Sequence, residues 1–183
     1  MTTPDHAPDT LDLTPKPASA SRMSLAIITN PGQANFFGLL HGGVILRLAD
    51  ECGAIVALRH AGGGRITTAA IDSMVFLGPV FPGERVEITA EVTYTGRSSI
   101  ETKIDVVAEP LEVAHRRKVG EGYGLFVALD DSNRPRSVPP LLSETDADRA
   151  RDQAGRARQA ARLLQREEAR EEQDNSSTDD SAP

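Results

Sequence analysis

The sequence predicts an α+β domain in which one long helix packs against a curved antiparallel sheet of about five strands. The first observation is the stretch Asn35 to Gly64, which is apolar or small almost throughout and is typical of a single long helix, opened by His41-Gly42-Gly43. The second is that residues 65–130 consist almost entirely of segments rich in β-forming residues. The third is that short links, Pro82-Gly83 and Gly96-Arg97 among them, join these segments as in antiparallel hairpins.

The long helix is predicted to be buried on most of its sides. On a helical wheel one face holds Val44, Ile45, Leu48, Cys52, Ile55 and Val56, and the opposite face holds Leu46, Asp50, Gly53, Ala54 and Ala57. Asp50 is the one acid on these two faces, so it needs a partner or a chemical role. The glycines at 62–64 are expected to end the helix.

The strand predictions follow from alternation and turn residues. A short strand at Met23 to Asn30 ends at the turn signal Asn30-Pro31-Gly32. Longer strands are predicted at 65–76, 84–94, 98–109 and 118–130. Alternation predicts that one side of the sheet carries Val86, Ile88, Ala90, Val92, Tyr94, Ile100, Thr102, Ile104, Val106 and Ala108.

The chain divides into a single domain with two flanking segments. Residues 1–22 are rich in Pro, Ser, Thr and Asp and are predicted to be disordered. Residues 23–142 form the domain, and residues 143–183 form a charged helical tail that ends in disorder. The tail helix, at 144–172, is expected to dock on its own or a neighbouring subunit through a seam of Ala147, Ala150, Ala154, Ala157, Ala161 and Leu164.

Composition excludes several classes of function. The net charge of −7 and the lack of a Lys/Arg-rich block argue against nucleic acid. No apolar run reaches the ~18–20 residues of a membrane span, and the N-terminal segment is not a secretory signal. A single cysteine, Cys52, indicates a reducing compartment, so a cytoplasmic protein is expected. The four histidines and one cysteine show no metal-ligand spacing, and neither a metal nor another cofactor is expected.

Five segments carry a family resemblance: "ANFFGLLHGGVILRLADECGAI", "TTAAIDSMVFLGPV", "PGERVEI", "YTGRSSIE" and "FVALD". In this order they resemble the hotdog-fold acyl-CoA thioesterases of the cytosolic acyl-CoA hydrolase branch, the bacterial YciA type. The resemblance covers residues 25–140. It implies a hotdog domain that hydrolyses fatty acyl-CoA to a free acid and CoA, with Asn35 and Asp50 as the catalytic pair. It also implies a hexamer of three dimers.

The residues themselves suggest how the two halves of the site meet. The amides of Gly42 and Gly43 are expected to be unpaired in the first helical turn, where they can hold an oxyanion. Asp50 lies about 12 Å further along the axis, whereas a base must lie one water away from the carbonyl. Two antiparallel helices of a homodimer satisfy both requirements. We expect Asp50 to act as general base, or less favourably as nucleophile, while Asn35 orients water or carbonyl and Thr68 helps to hold the water.

Other interpretations remain open for each residue. Asp50 is alternatively a hydrogen-bonded core acid, Asn35 an Asx-type turn residue, and Thr68 an ordinary strand residue. His41, a candidate substrate-binding residue, is favoured as a helix cap or packing residue rather than a base. Two further segments are candidates for binding the CoA phosphates: Gly96-Arg97-Ser98-Ser99, and the basic cluster His115, Arg116, Arg117 and Lys118. The favoured interpretation of the first is a simple hairpin turn, and that of the second a solvated loop.

Two other functions compete with hydrolysis. A hotdog dehydratase or hydratase would use His41 with an acid and would leave Asn35 without a role. A non-catalytic acyl-CoA sensor would bind the thioester and release no thiol. Acyl-CoA is the expected partner in every case.

Overall fold

The computed structural model describes residues 11–179, with side chains to residue 170, and its centre is a five-stranded antiparallel sheet. The strand order is β2-β4-β5-β6-β3. The strands are β2 Met23–Ile28, β3 Arg65–Phe76, β4 Arg85–Thr95, β5 Ser99–Glu109 and β6 Arg117–Leu129. All five strands were predicted, each within one or two residues of its ends. In this strand order, β3 forms one edge of the sheet and β2 the other.

The long helix α1, Gly42–His60, packs across one face of this sheet. Its buried residues, Ile45, Leu48, Ala49, Cys52, Gly53, Val56, Ala57 and His60, face the inward side chains of the strands. Its outer side is exposed and carries the ion pair Arg47–Glu51 at 2.6 Å, so burial on most sides is wrong for the single chain. As predicted, glycines follow the helix: Gly62, Gly63 and Gly64 have φ of 78°, 93° and 83°.

The helix begins at Gly42, so Gly42 and Gly43 lie in its first turn as predicted, and the residues before His41 in the stretch from Asn35 lie outside it. The Asn35 carboxamide accepts hydrogen bonds from the amides of Phe37 (2.9 Å) and Leu39 (3.2 Å). Gly38 has φ of 77°, and Ala34 pairs with Leu40 in an isolated bridge. These contacts form a compact loop, so the apolar residues at 36–40 continue the pattern of the helix without belonging to it.

The inward side of the sheet follows the predicted alternation, except at Tyr94. Ile88, Ile100, Ile104 and Val106 are buried in the core. The β4–β5 register shifts between Val92 and Tyr94, so Tyr94 packs against the second helix instead of the core. Alternation alone could not predict this bulge, because the extra residue changes the face of everything after it.

Part of the N-terminal segment is ordered, which corrects the prediction for residues 1–22. A two-residue strand β1, Lys16–Pro17, pairs in parallel with β7, Leu141–Leu142. Ser21 is buried, with its hydroxyl 3.2 Å from Nδ1 of His60. Residues 1–10 lie outside the described part of the chain.

His60 is a buried residue at the end of α1. Its Nε2 lies 3.1 Å from the carbonyl of Pro139, so Nε2–H donates there and Nδ1 accepts from Ser21. Burial lowers the pKa of His60, because a charged imidazolium is poorly solvated in the core.

The second helix, α2 Asp146–Asp179, crosses the face of the sheet opposite α1. It starts near its predicted position and extends beyond the predicted end at 172. The predicted seam is wrong as an intramolecular docking face: its alanines and Leu164 are exposed. The helix instead docks through Gly155, Arg158 and Arg162. None of the helices described within residues 11–179 is long and apolar enough to cross a membrane.

Candidate active site

Asp50 lies midway along α1, half-buried, and makes a direct contact with β3. The hydroxyl of Thr68 donates to Oδ1 of Asp50 at 2.7 Å. The β3–β6 register shifts between Thr68 and Ala70, so a bulge at Ala69 separates Thr68 from the rest of the strand. This bulge lets Thr68 face α1 while Ala70 and Asp72 face the opposite side. The structure therefore brings together two of the predicted site residues.

Asn35 lies in the loop before α1 and does not contact Asp50. Its side-chain oxygen is used within the loop, as the Asx-turn interpretation requires. Its side-chain NH₂ makes no hydrogen bond among the residues with described side chains. The neighbouring Phe36 and Phe37 are 91% and 75% exposed, with ring centroids 4.2 Å apart. The loop thus presents an amide donor and two aromatic rings at the surface.

The entrance of α1 is built from His41, Gly42 and Gly43. His41 is the N-cap, and its Nδ1 accepts a hydrogen bond from the amide of Gly43 at 3.0 Å. The cap interpretation of His41 is confirmed, and the prediction that the Gly43 amide is unpaired is wrong. The Gly42 amide has no acceptor within the described residues, so it remains available at the positive end of the helix.

Phe76 is a residue of this entrance that the sequence did not indicate. A Cβ added at Gly42 would lie 3.4 Å from its ring, so ring and glycine are in contact. A second register shift in β3, between Asp72 and Val75, precedes Phe76. The only available signal was a large apolar residue at the end of an alternating strand.

Within one chain, the helix entrance at Gly42 lies far from the pair Asp50 and Thr68. Residues 42–50 belong to one uninterrupted helix, so Asp50 lies about 12 Å along the axis from Gly42. A carbonyl that is hydrogen-bonded to the Gly42 amide is out of reach of this carboxylate.

The edge strand β3 carries exposed apolar side chains beside the site. Ile71, Val75 and Phe76 of β3, and Leu77 directly after it, are 36–53% exposed. An unpaired strand edge with apolar residues is typical of a surface that another chain covers.

The segments proposed for CoA phosphates have different environments. Gly96 to Ser99 forms the β4–β5 hairpin turn, in which the Gly96 amide donates to the carbonyl of Ser99 at 2.8 Å. Arg97 is exposed at its tip.

The basic cluster at 115–118 is largely engaged in ion pairs. Arg117 binds Glu84 (2.6 Å), Lys118 binds Asp105 (2.7 Å), and Arg116 lies 3.3 Å from Glu87. These contacts favour a structural role for the cluster.

Comparison with known proteins gives one consistent result. The model of the thioesterase superfamily matches residues 37–115. The mouse cytosolic acyl coenzyme A thioester hydrolase is 31% identical over 146 residues, which is 79% of this chain and 38% of the mouse protein. An uncharacterised acyl-CoA thioester hydrolase of Zymomonas mobilis is 31% identical over 68% of this chain and 83% of its own length.

Solved structures agree with these relatives. An apo-hexameric acyl-CoA thioesterase superposes with a TM-score of 0.78 at 30% identity, covering 83% of this chain and 97% of that one. An acyl-CoA hydrolase from Staphylococcus aureus, solved with butyryl coenzyme A, coenzyme A and coenzyme A disulfide, superposes with a TM-score of 0.80 at 28% identity, covering 88% and 98%.

This chain belongs to the acyl-CoA thioester hydrolase family. It spans less than two fifths of the length of the mouse, rat and human members, and most of the length of the bacterial one. The expected hotdog architecture is confirmed by the solved members of the family.

The sequence did not indicate a buried polar cluster between the sheet and α2 of this acyl-CoA thioester hydrolase family member. Glu101 on β5 is fully buried and binds Arg158 and Arg162 of α2, each at 2.6 Å. An acid at an outward position of a strand resembles a solvated residue, and only the placement of α2 makes it a buried ion. Among residues 11–170 no group of three or more His, Cys, Asp or Glu side chains could hold a metal ion.

Proposed function

We propose that the protein hydrolyses acyl-CoA to a free acid and CoA, with Asp50 as the general base. The observation that carries this proposal is the Thr68–Asp50 hydrogen bond at 2.7 Å. It occupies Oδ1 and orients the carboxylate, while Oδ2 accepts no hydrogen bond from a described residue. A half-buried carboxylate with one fixed and one open oxygen is suited to binding and deprotonating a water molecule.

The reaction proceeds in two steps. Oδ2 of Asp50 takes a proton as the water oxygen bonds to the thioester carbon, and the carbonyl oxygen becomes an oxyanion. The Gly42 amide donates to this oxyanion. The intermediate then collapses, the C–S bond breaks, and the thiolate of CoA leaves. Because a thiol has a pKa of about 8.5, the thiolate leaves without a strong general acid, and the proton on Asp50 returns to it or to solvent.

The 12 Å between Gly42 and Asp50 requires a second copy of the chain. In a dimer paired through the β3 edges, Asp50 of one protomer faces Gly42 and Asn35 of the other. The exposed apolar residues of β3, the free amide of Gly42 and the unused NH₂ of Asn35 support this arrangement. We propose this homodimer as the catalytic unit, with assembly into a hexamer like that of the apo-hexameric relative.

The S. aureus hydrolase supports the choice of residues. Its structures include alanine variants of an aspartate, an asparagine and a threonine. Its asparagine and aspartate are 15 positions apart, as are Asn35 and Asp50. Its threonine follows the aspartate by 17 positions, whereas Thr68 follows Asp50 by 18.

Substrate binding extends the proposal to the surface. The β4–β5 hairpin at 96–99, with Arg97 at its tip, is proposed to bind the CoA phosphates, and His41 to contact substrate at the helix entrance.

The dehydratase alternative loses support because the His41 ring is engaged as an N-cap. A cytoplasmic location is proposed, in keeping with the name of the mouse relative.

The test is thiol release from a series of acyl-CoA thioesters. We expect Asp50→Asn to lose at least about a hundredfold in kcat, as for removal of an acid–base group, and Thr68→Val and Asn35→Ala to be impaired less. Glu51→Gln, at the neighbouring exposed acid, is the matched control and is expected to retain activity.

Mixed dimers test the arrangement between chains. A heterodimer of Asp50→Asn and Asn35→Ala subunits has one intact site, so a mixture of the two variants should be more active than the mean of the two measured separately. Full activity of Asp50→Asn, or tight acyl-CoA binding with no thiol released by the wild type, would disprove the proposed function. Absence of rescue after confirmed subunit exchange would disprove only the arrangement between chains.

A further inference from the structure

The outer face of the sheet holds a fully buried carboxylate, and this carboxylate fixes α2. Glu101 accepts hydrogen bonds from Thr93 (2.7 Å), Arg158 (2.6 Å) and Arg162 (2.6 Å). Burial raises the pKa of Glu101, but the hydrogen bonds from Arg158, Thr93 and Arg162 outweigh it, and the pKa lies below its usual range. The carboxylate is therefore charged, and the two arginines are held firmly beside it.

The two arginines differ in what else they contact. Arg158 stacks on the ring of Tyr123 in β6, 3.8 Å from its centroid. Arg162 forms a second ion pair, with Asp72 of β3. It also lies close to Gln159 of its own helix. Of the two, only Arg162 links the buried Glu101 to the edge strand.

The edge strand needs such a link more than the other strands. β3 has one neighbour in the sheet, β6, and its register to β6 breaks on both sides of the segment 70–72. Ser73, at the second break, has φ of 50°, a left-handed conformation that is uncommon for a residue with a side chain. A short segment between two irregularities is weakly positioned by its backbone hydrogen bonds.

Asp72 ends this segment, and Thr68 lies two residues before its other end, across the bulge at Ala69. We propose that Arg162 is a positioning residue for catalysis: by holding Asp72, it fixes β3 so that Thr68 reaches Asp50. The helix α2 is then required for the rate of the reaction and not only for stability. This inference rests on the proposed function, in which Asp50 and Thr68 act on the substrate.

The lead variant is Asp72→Ala, because it breaks the link while Glu101 keeps both arginines. Its matched control is Asp105→Ala, which removes an ion-paired acid of similar exposure from β5 rather than β3. We expect Asp72→Ala to lower kcat about tenfold to a hundredfold, as small displacements of catalytic groups do, with KM nearly unchanged. Asp105→Ala is expected to retain the wild-type kcat.

A second pair of variants tests the arginine itself. Arg162→Met removes the Asp72 contact and also one partner of Glu101, so it is expected to lower kcat at least as much as Asp72→Ala does. Adding Asp72→Ala to Arg162→Met should lower kcat no further, since the contact with Asp72 is then already broken. Arg158→Met, which removes a Glu101 partner that forms no ion pair with β3, is expected to keep kcat. Amide hydrogen exchange provides a readout independent of activity: it should rise at 68–72 in Asp72→Ala and Arg162→Met, and not in the two controls.

The outcomes separate this inference from the proposed function. In a Thr68→Val background, Asp72→Ala should have no further effect on kcat. If Thr68→Val is impaired while Asp72→Ala keeps the wild-type kcat, the positioning role is disproved and the proposed function stands. If Thr68→Val is fully active, both the role of Thr68 and this inference are overturned. Equal losses of kcat in Asp72→Ala and Asp105→Ala also overturn it.

Discussion

At Gly155 the helix α2 packs closely against the sheet, and Gly155→Ala tests how this contact determines stability. Two opposing effects are expected. Alanine in place of glycine inside a helix stabilises it by about 1 kcal/mol. The added Cβ, however, would lie 2.5 Å from Cβ of Tyr94 and 3.1 Å from a carboxylate oxygen of Glu101.

The steric effect is expected to be the larger one. Cβ of Tyr94 is fixed by the backbone of β4, so a rotamer change cannot remove the clash. The helix must move away by about 1 Å to restore ordinary contact, and overpacking of this kind costs about 1–3 kcal/mol. The same movement stretches the contacts between the α2 arginines and buried Glu101, which adds to the cost. We expect a net loss of about 1–2 kcal/mol in the free energy of unfolding.

Thermal unfolding measures this loss. For a chain of this size, 1 kcal/mol shifts Tm by about 2–4 °C, so Gly155→Ala should lower Tm by about 2–8 °C. Ala154→Gly, at the exposed neighbouring position, is the matched control for helix propensity and should lower the free energy of unfolding by about 1 kcal/mol. A rise in Tm for Gly155→Ala would show that propensity outweighs the close contact, and would refute this account of how α2 docks.

Three further predictions concern other parts of the fold. Burial lowers the pKa of His60, so the unfolded state binds the proton more tightly than the folded state does. The contribution of neutral His60 to stability should therefore be complete above about pH 6.5 and should decrease as the pH falls below this value. The variant His60→Gln should remove this part of the dependence of Tm on pH. Burial raises the pKa of the Cys52 thiol, so a thiol-reactive dye should label it only after denaturation. Gly63 has φ of 93° and open space around it. The variant Gly63→Ala should therefore lower the free energy of unfolding by about 1 kcal/mol through backbone strain alone, as measured by urea unfolding.

The strands and the main helix could be predicted because each is periodic over many residues. The inward residues of β5 recur at every second position, and all of them are buried as expected. The loop from Asn35 to Leu40, just before α1, could not be predicted in this way. Asn35 forms a local hydrogen-bonded turn before the helix, and such a turn is compatible with the same apolar residues that a helix would contain.

In the candidate site, the position of Asp50 could be predicted from the helix pattern, but its contact with Thr68 could not. Asp50 stands out because an acid on a predominantly apolar helix needs an explanation. Its contact with Thr68 depends on the bulge at Ala69, and one extra residue in a strand leaves no clear trace in an alternating pattern. Phe76 reaches Gly42 through a second bulge and was missed for the same reason.

The docking face of α2 shows why an apolar seam is an incomplete guide to packing. The alanines of the predicted seam are small, and each buries little apolar area wherever it lies. Arg158 and Arg162 face the sheet because α2 buries the charged Glu101 when it docks, and a buried carboxylate left without partners costs several kcal/mol. Gly155 is required beside them, since any side chain would hold the arginines away from that carboxylate. The placement of this helix is thus determined by one acid on β5, and the sequence around 101 and around 155–162 carries the information only when the two segments are considered together.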